Sequence, residues 1–385
     1  MNNNAHDENA HPLNITKPVI TFLYPFCVFV VVLVILYLNY QNKVVSAINR
    51  GVASYNLSYN LVKPNYMLIN ELFTSQINKF DNRDIIVLIG NSLIAGAGTI
   101  DKNYLNKEIS EHFNVINAGL GGEYLTSSVS LAIYGLDHAI RNNPNRFIHI
   151  FVVYNVERFY VHGDYWVFGN AIAKFCHDKD IEPYIYNCKE LRSQYNSDLL
   201  SQMISTLVVG GLSCAFSPDT FRVFVTNYTF RCENLFETIH KEGDFIKQHD
   251  NPLWYASADL SYVLGMISWV FDEDQRKNTL AIFRNRIGNL TNYLDSRGMN
   301  NRYRVNVILL SENNHILNIL LKSEEKNQYD RARQDFLSDM ALVIPNSKVF
   351  FFNQVNPEDY LDVSHLKETG QSKLANFIVN STLSR

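Results

Sequence analysis

The sequence, 385 residues long, lacks several features that mark common functional classes. It has no long basic run and a net charge of -4, which argues against a nucleic-acid partner held through phosphate contacts. None of its five cysteines falls in the C-x-x-C spacing typical of zinc sites. No lysine follows Gly90 at the spacing of a phosphate-binding loop, and the pattern G-x-G-x-x-G is not satisfied. We therefore predict no nucleic-acid partner, no metal and no cofactor.

Charged residues are also sparse, at 19% against 46% apolar residues, a balance normal for a folded protein. One segment, 18–42, carries no charge and is dominated by Val, Leu, Ile, Phe and Tyr. About 20 apolar residues suffice to cross a bilayer as a helix, so we predict a single transmembrane anchor there. A cleaved signal peptide is the alternative, but its cleavage site requires small residues, and this segment ends without them.

The four cysteines beyond this segment form an even set. Two disulfides in an oxidising compartment fit that number. Four buried thiols are the alternative, and the sequence leaves both open. The four are Cys176, Cys188, Cys214 and Cys232, while Cys27 lies in the predicted anchor.

Short apolar runs, bounded by polar residues or glycine, recur in the rest of the chain and predict buried β-strands. A helix is predicted over 125–141, between the second and the third run. Strands that alternate with helices indicate βαβ units, so we expect an α/β fold with a parallel sheet. The runs lie at 85–89, 113–117, 147–154, 305–310 and 349–352.

This alternation is lost between about residues 158 and 275, a region rich in aromatic residues. We interpret the region as an insertion or cap packed near the edge of the sheet where ligands bind. The predicted organisation is a disordered N-terminus (1–17), the anchor (18–42), a stalk and lead-in (43–83), a catalytic domain in two segments (84–158 and 276–385) and the insertion or cap (159–275).

Polar residues and glycines follow the predicted strands at their carboxyl ends, the edge where open α/β sheets bind ligands. A serine hydroxyl becomes a strong nucleophile only beside a base, and the base needs an acid to fix its tautomer. Ser92 follows the first strand, whereas Asp362 and His365 follow the last one. The backbone N–H of Gly122 and the side-chain amide of Asn155 are suited to stabilise an oxyanion. The sequence therefore predicts a Ser/His/Asp site with two oxyanion donors.

Each of these residues also has an ordinary structural explanation. Ser92 is a suitable helix cap, and the glycines suit a tight turn. Asn155 is suited to a local turn after its strand, and Asp362 and His365 to capping the final helix. The order of all these residues along the chain favours the catalytic interpretation. An α/β-hydrolase elbow is excluded, because Ile94 stands where that motif requires glycine.

Four blocks of the sequence resemble, in the same order, those of the SGNH (GDSL-type) hydrolase superfamily. Gly90–Leu93 is similar to the Gly-Asp-Ser-Leu block, with Asn91 in place of the usual aspartate. Asn117–Gly122 resembles the second block, whose last glycine supplies an oxyanion N–H. Val153–Asn155 resembles the third block but lacks its leading glycine and trailing aspartate. Asp362–Gly370 is similar to the fourth block throughout.

The resemblance implies a flavodoxin-like three-layer sandwich with a parallel sheet, to which the insertion is added. It also implies roles for five residues. Ser92 is expected to be the nucleophile, Gly122 and Asn155 the oxyanion donors, and Asp362 and His365 the other members of the triad. The insertion lies outside the matching blocks.

An anchor ahead of such a domain resembles membrane-anchored SGNH-like proteins of the D-alanine-transfer and alginate O-acetylation type. This resemblance implies a serine esterase or O-acyltransferase acting on an acylated glycan or glycolipid of the cell envelope. It further implies a single-pass membrane protein, with its soluble domain on the periplasmic or extracytoplasmic side and a multi-spanning membrane acyltransferase as a partner. The charges flanking the anchor do not by themselves fix this orientation. The alternative, motivated by the altered first and third blocks, is a non-catalytic SGNH-fold protein that binds a glycan or such an acyltransferase.

Overall fold

The computed structural model describes most of the chain after residue 73. The chain divides into two units, Met1–Lys43 and Val44–Arg385. The described residues of the first unit are helical and comprise Tyr24, Pro25, Cys27, Val28 and Val31. Those of the second unit are 73–96 without Ser75, Thr99, 104–120, 125–156, Phe159, 169–194, Leu264, 267–344 and 347–383.

Several of the predicted segments consist largely of residues that the structure does not describe. The N-terminus (1–17), most of the anchor and of the stalk, and most of the insertion (159–275) lie outside the described residues. Among the helices that are described, none has both the length and the apolar character needed to cross a bilayer. The anchor therefore stays a prediction.

A five-stranded sheet forms the centre of the second unit, and all its neighbouring strands are parallel. The strand order is β2-β1-β3-β4-β5. Each of the five apolar runs is a strand, so the prediction of an α/β fold with a parallel sheet is confirmed. The strands are β1 (Ile85–Gly90), β2 (Asn114–Asn117), β3 (Ile148–Asn155), β4 (Tyr303–Leu310) and β5 (Lys348–Phe352).

Helices connect the strands, and the helix predicted over 125–141 is confirmed. The described helices are α1 (Tyr104–Ser110), α2 (Leu125–Asn142), α3 (Gly169–Phe175), α4 (Cys188–Gln194), α5 (Glu273–Ser296), α6 (Asn314–Leu320), α7 (Ser323–Val343) and α8 (Glu368–Leu383). Short 3-10 turns lie at Glu182–Tyr184, Trp269–Phe271 and Pro357–Asp359.

Both faces of the sheet are covered by helices, which explains why the strands are continuously apolar. Successive residues of a strand point to opposite faces. Accordingly, Val87 lies in one apolar cluster and Leu88 in another, and both side chains are completely buried. The first cluster includes residues of α2, α5 and α7, and the second includes residues of α1 and α8. Because all strands are parallel, their carboxyl ends meet at a single edge of the sheet.

A described part of the predicted insertion packs into the first of these clusters. The ring of Phe175 stacks on that of Tyr134 in α2, with the ring centroids 4.0 Å apart. Arg141, in the last turn of α2, forms ion pairs with Asp178 and Asp180. Because α2 runs back from the carboxyl end of β2, its last turn lies at the opposite edge of the sheet. Asp178 and Asp180 therefore lie at that edge, whereas Tyr186 packs on Arg286, which bonds Thr126 in the first turn of α2. The predicted cap stays a prediction.

The cysteines of this segment are paired. Cys176 and Cys188 form a disulfide, with their Cα atoms 5.5 Å apart. For this pair the structure agrees with the disulfide alternative. Cys214 and Cys232 lie outside the described residues.

Candidate active site

A closed loop between β5 and α8, residues 359–367, carries the predicted acid and base, and we call it the acid–base loop. Tyr360 and Leu366 form an antiparallel bridge across it. At its ends, the backbone N–H of Lys367 donates to the carbonyl of Asp359 at 2.8 Å. Gly370 allows α8 to begin this close, because a Cβ there would lie 2.9 Å from the same carbonyl oxygen. The loop is therefore closed by bonds among its own residues.

Asp362 organises the interior of the acid–base loop. Its Oδ1 accepts the backbone N–H groups of Ser364 and His365, at 2.8 and 2.7 Å. Its Oδ2 lies 2.6 Å from Nδ1 of His365. Burial alone raises the pKa of Asp362, but the attraction of His365 and these hydrogen bonds outweigh burial and hold the pKa below its ordinary value of 3.8. An ionised Asp362 therefore fixes both the orientation of the imidazole and the proton on Nδ1.

Ser92 faces the other nitrogen of this imidazole. Its Oγ lies 2.7 Å from Nε2 of His365. With the proton of the neutral ring on Nδ1, Nε2 is the acceptor and the serine O–H the donor. Ser92 is 5% exposed and the His365 side chain 13%, so the pair is shielded from bulk water but reachable from the surface. The structure thus brings three of the five predicted site residues into one hydrogen-bonded relay.

Residues 90–96, which we call the nucleophile turn, begin at the last residue of β1 and carry the serine. The side chain of Asn91 accepts the backbone N–H of Leu93 at 3.0 Å. Either Asn or Asp can supply such an acceptor at this position. Gly90 and Gly119 make room for Ile94, because a Cβ on them would lie 2.5 and 2.6 Å from its side chain. The backbone around the serine therefore depends on the close contacts of these two glycines with Ile94.

Buried side-chain amides from other elements hold both segments, and none of these amides was predicted to have this role. Asn117 and Gln371 each donate to a carbonyl of the nucleophile turn at 2.9 Å. Asn313 donates its backbone N–H to the Val363 carbonyl at 2.9 Å, and its side chain reaches the Asp362 carbonyl at 3.4 Å. Asn117 and Asn313 stand at or just after strand ends, which is a usable signal. Gln371 lies within a helix and carries no such signal.

Of the two predicted oxyanion donors, the structure describes Asn155 but not Gly122. Asn155 ends β3, is completely buried and donates from Nδ2 to the Ser364 carbonyl at 3.2 Å. One N–H of this amide thus supports the acid–base loop. The second N–H has no acceptor among the described residues and is the one left for an oxyanion. Gly122 lies outside the described residues, so its predicted role is not addressed by the structure.

A separate groove of about 700 Å³ lies between α5 and α7. Its lining combines charged residues, such as Lys277, Arg284 and Asp339, with amides and aliphatic side chains. The groove includes no member of the relay, and its lining offers no paired nucleophile and base. We therefore do not assign chemistry to it.

Comparison with protein-family models found no matching family, and comparison with curated proteins found no matching protein. The interpretation of the site therefore rests on its geometry. A serine bonded to an imidazole, which is bonded in turn to a buried carboxylate, is the arrangement required for nucleophilic attack by the serine.

Proposed function

We propose that this chain is a serine esterase or O-acyltransferase that works through an acyl-Ser92 intermediate. The observation that carries the proposal is the relay, with 2.7 Å between Ser92 and His365 and 2.6 Å between His365 and Asp362. Both distances suit proton transfer without rearrangement. The proposal explains why a buried carboxylate, an imidazole and a shielded serine hydroxyl are aligned at the ligand-binding edge of the sheet.

In the first half of the reaction, Ser92 Oγ forms a bond to the acyl carbonyl carbon as its proton passes to Nε2 of His365. The negative charge on the carbonyl oxygen is met by oxyanion donors, for which the free N–H of Asn155 and the backbone N–H of Gly122 are the candidates. When the intermediate collapses, the bond to the leaving alcohol oxygen breaks and His365 returns the proton to that oxygen. The acyl group remains on Ser92.

In the second half, water or a sugar hydroxyl attacks the acyl-serine while His365 takes its proton. The bond to Ser92 Oγ breaks, and His365 gives the proton back to the serine. Asp362 keeps its charge throughout and stabilises the imidazolium formed in each half. Hydrolysis and transfer differ only in the acceptor, so the proposal covers both.

The fold supports a finer assignment to the SGNH-like, flavodoxin-like sandwich. The strand order 2-1-3-4-5 is the flavodoxin-like one, in which ligands bind at the carboxyl edge where the strand order reverses. Joined to the anchor predicted over 18–42, such a domain fits action on an acylated glycan or glycolipid of the cell envelope. A multi-spanning acyltransferase fits as the supplier of the acyl group.

Labelling with a fluorophosphonate probe tests the proposal. In the full-length protein we expect covalent labelling that maps to Ser92, is absent in Ser92→Ala and is slowed strongly in His365→Ala. Ser338→Ala removes an exposed serine hydroxyl elsewhere and serves as the matched control, with unchanged labelling. Failure of the folded wild-type protein to react would count against the enzyme.

The alternative is the non-catalytic SGNH-fold partner that binds a glycan or a membrane acyltransferase. The short contact between Ser92 and His365 favours the enzyme, because a binding partner gains nothing from an aligned base. Complementation in cells separates the two proposals. Complementation tests whether a variant restores the phenotype of cells that lack the protein. Full complementation by the double variant Ser92→Ala, His365→Ala would favour the binding partner, whereas failure to complement at normal protein levels favours the enzyme.

A further inference from the structure

One side chain joins the two halves of the candidate site. Gln371 lies in the first turns of α8, six positions after His365, and is completely buried. Its Nε2 donates to the backbone carbonyl of Leu93, the residue after the nucleophile, at 2.9 Å. This bond spans 278 positions of the chain and links the helix that follows the acid–base loop to the nucleophile turn.

Packing alone does not account for a glutamine at this place. The surrounding cluster is apolar and includes Leu93, Ile94, Leu374 and Ala375. The Leu93 carbonyl already accepts the backbone N–H of Gly96 at 3.1 Å, so it does not need a second donor. The Oε1 of Gln371 has no partner within the described part of the chain, and an unpaired buried acceptor is destabilising. A methionine of similar volume fills the same space without that cost.

We infer that Gln371 is a positioning residue that fixes Ser92 relative to His365, an inference that rests on the proposed function. The two segments belong to different elements, and Asn117 holds the nucleophile turn from the side of β2. Gln371 supplies the matching bond from the side of α8. Without it, the turn loses its side-chain bond to α8, and we expect the 2.7 Å distance between the serine Oγ and the imidazole Nε2 to vary more widely. A displacement of about 1 Å in a catalytic site can lower the rate about 100-fold.

The test compares Gln371→Met with Thr382→Val in the full-length protein. Thr382 lies in the same helix, is buried and bonds the Ile378 carbonyl at 2.8 Å, so the control also loses one buried hydrogen bond. With p-nitrophenyl acetate we expect kcat to fall about 10- to 100-fold in Gln371→Met, with KM unchanged, and to stay near the wild-type value in the control. Equal kcat values in the two variants would overturn the inference.

A second variant gives a readout that a purely structural residue would not move. In Gln371→Glu the protonated carboxyl can donate to the Leu93 carbonyl, whereas the ionised form cannot. Burial raises the pKa of such a carboxyl. We expect kcat of this variant to decrease as the pH rises through that pKa. The pH profiles of the wild type and of Gln371→Met should show no such decrease. Superimposable profiles would contradict the positioning role.

Hydrogen–deuterium exchange tests the inference without relying on the proposed activity. Loss of the Gln371 bond should speed exchange in residues 91–96 in Gln371→Met but not in Thr382→Val. Unchanged exchange there sinks the inference even if the enzyme is active. Faster exchange in a protein that shows no Ser92-dependent turnover supports the coupling of the two segments while overturning the proposed function.

Discussion

In the acid–base loop the two reactive side chains contact each other within the loop, whereas the serine of the nucleophile turn meets its partner, His365, only across the fold. Asp362 alone bonds two backbone N–H groups and the imidazole of His365. The nucleophile turn has bonds of its own, and two of its carbonyls also accept the side chains of Asn117 and Gln371, from β2 and α8. The contact between Asp362 and His365 is therefore specified locally, and the contact between His365 and Ser92 is specified by the fold. We expect them to fail in different ways when they are perturbed.

Asp362→Asn changes a contact within the acid–base loop and should have the largest effect on kcat. The new amide keeps an oxygen for the backbone N–H groups, but its nitrogen faces Nδ1 of His365 and favours the wrong tautomer. We expect kcat to fall about 10⁴-fold. The measurement is kcat for p-nitrophenyl acetate beside the melting temperature. A loss smaller than tenfold in a folded variant would remove Asp362 from the relay.

Asn155→Ala removes an amide that bonds the acid–base loop and that we propose as an oxyanion donor. Loss of one oxyanion donor lowers kcat about 10²- to 10³-fold, and we expect a loss in that range. Asn145→Ala, an exposed asparagine at the opposite edge of the sheet, is the control and should be unaffected. Wild-type kcat in Asn155→Ala would leave the oxyanion hole without this donor.

Gly90→Ala perturbs the nucleophile turn through its surroundings. The added Cβ would lie 2.5 Å from Ile94 and 2.6 Å from the Val153 carbonyl oxygen, so the turn must shift. We expect the free energy of unfolding to fall by about 1–3 kcal/mol, with kcat reduced as well. The matched change is Gly288→Ala in α5, where the Cβ meets no atom within 4 Å. It should raise the free energy of unfolding by about 0.5–1 kcal/mol. Urea unfolding measures both changes. If the two substitutions changed the free energy of unfolding in the same direction, Gly90 would not be required for the close contact with Ile94.

The charge of Asp362 predicts a smaller, pH-dependent effect. Its pKa in the folded protein lies below the ordinary value of 3.8, so the ionised carboxyl stabilises the fold above that pH. This contribution is lost as the pH falls through the folded-state pKa. In urea unfolding from pH 7 to pH 3, the wild type should lose stability relative to Asp362→Asn below about pH 4. Parallel pH curves for the two proteins would contradict the lowered pKa.

The same contrast explains how much the sequence could reveal. The five strands were predictable because a sheet covered on both faces produces continuous apolar runs. Asp362 and His365 were predictable because their contact is local and its spacing is visible in the chain. Ser92 could be added because parallel strands bring their carboxyl ends to one edge. Its 2.7 Å contact with His365 is known only from the structure.

Other features depend on contacts that no local pattern reports. Nothing in the sequence around Gln371 indicates a bond to a turn 278 positions away. The pairing of Cys176 with Cys188 was one of two open alternatives, because cysteine number alone does not determine pairing. Asn155 was predicted to donate to an oxyanion or to form a local turn, whereas its amide bonds the acid–base loop, a contact far away in sequence. Long-range polar contacts are thus the part of this site that sequence reasoning missed.

The most direct test of the central claim is to trap the acyl-enzyme. The full-length protein is mixed with p-nitrophenyl acetate, quenched in acid within the first turnover and digested for mass spectrometry. The account predicts an acetyl group on the peptide that contains Ser92, absent from Ser92→Ala and accumulating more slowly in Asp362→Asn. Turnover of the ester with no acetyl group on Ser92 at any quench time, or equal turnover by Ser92→Ala, would contradict it.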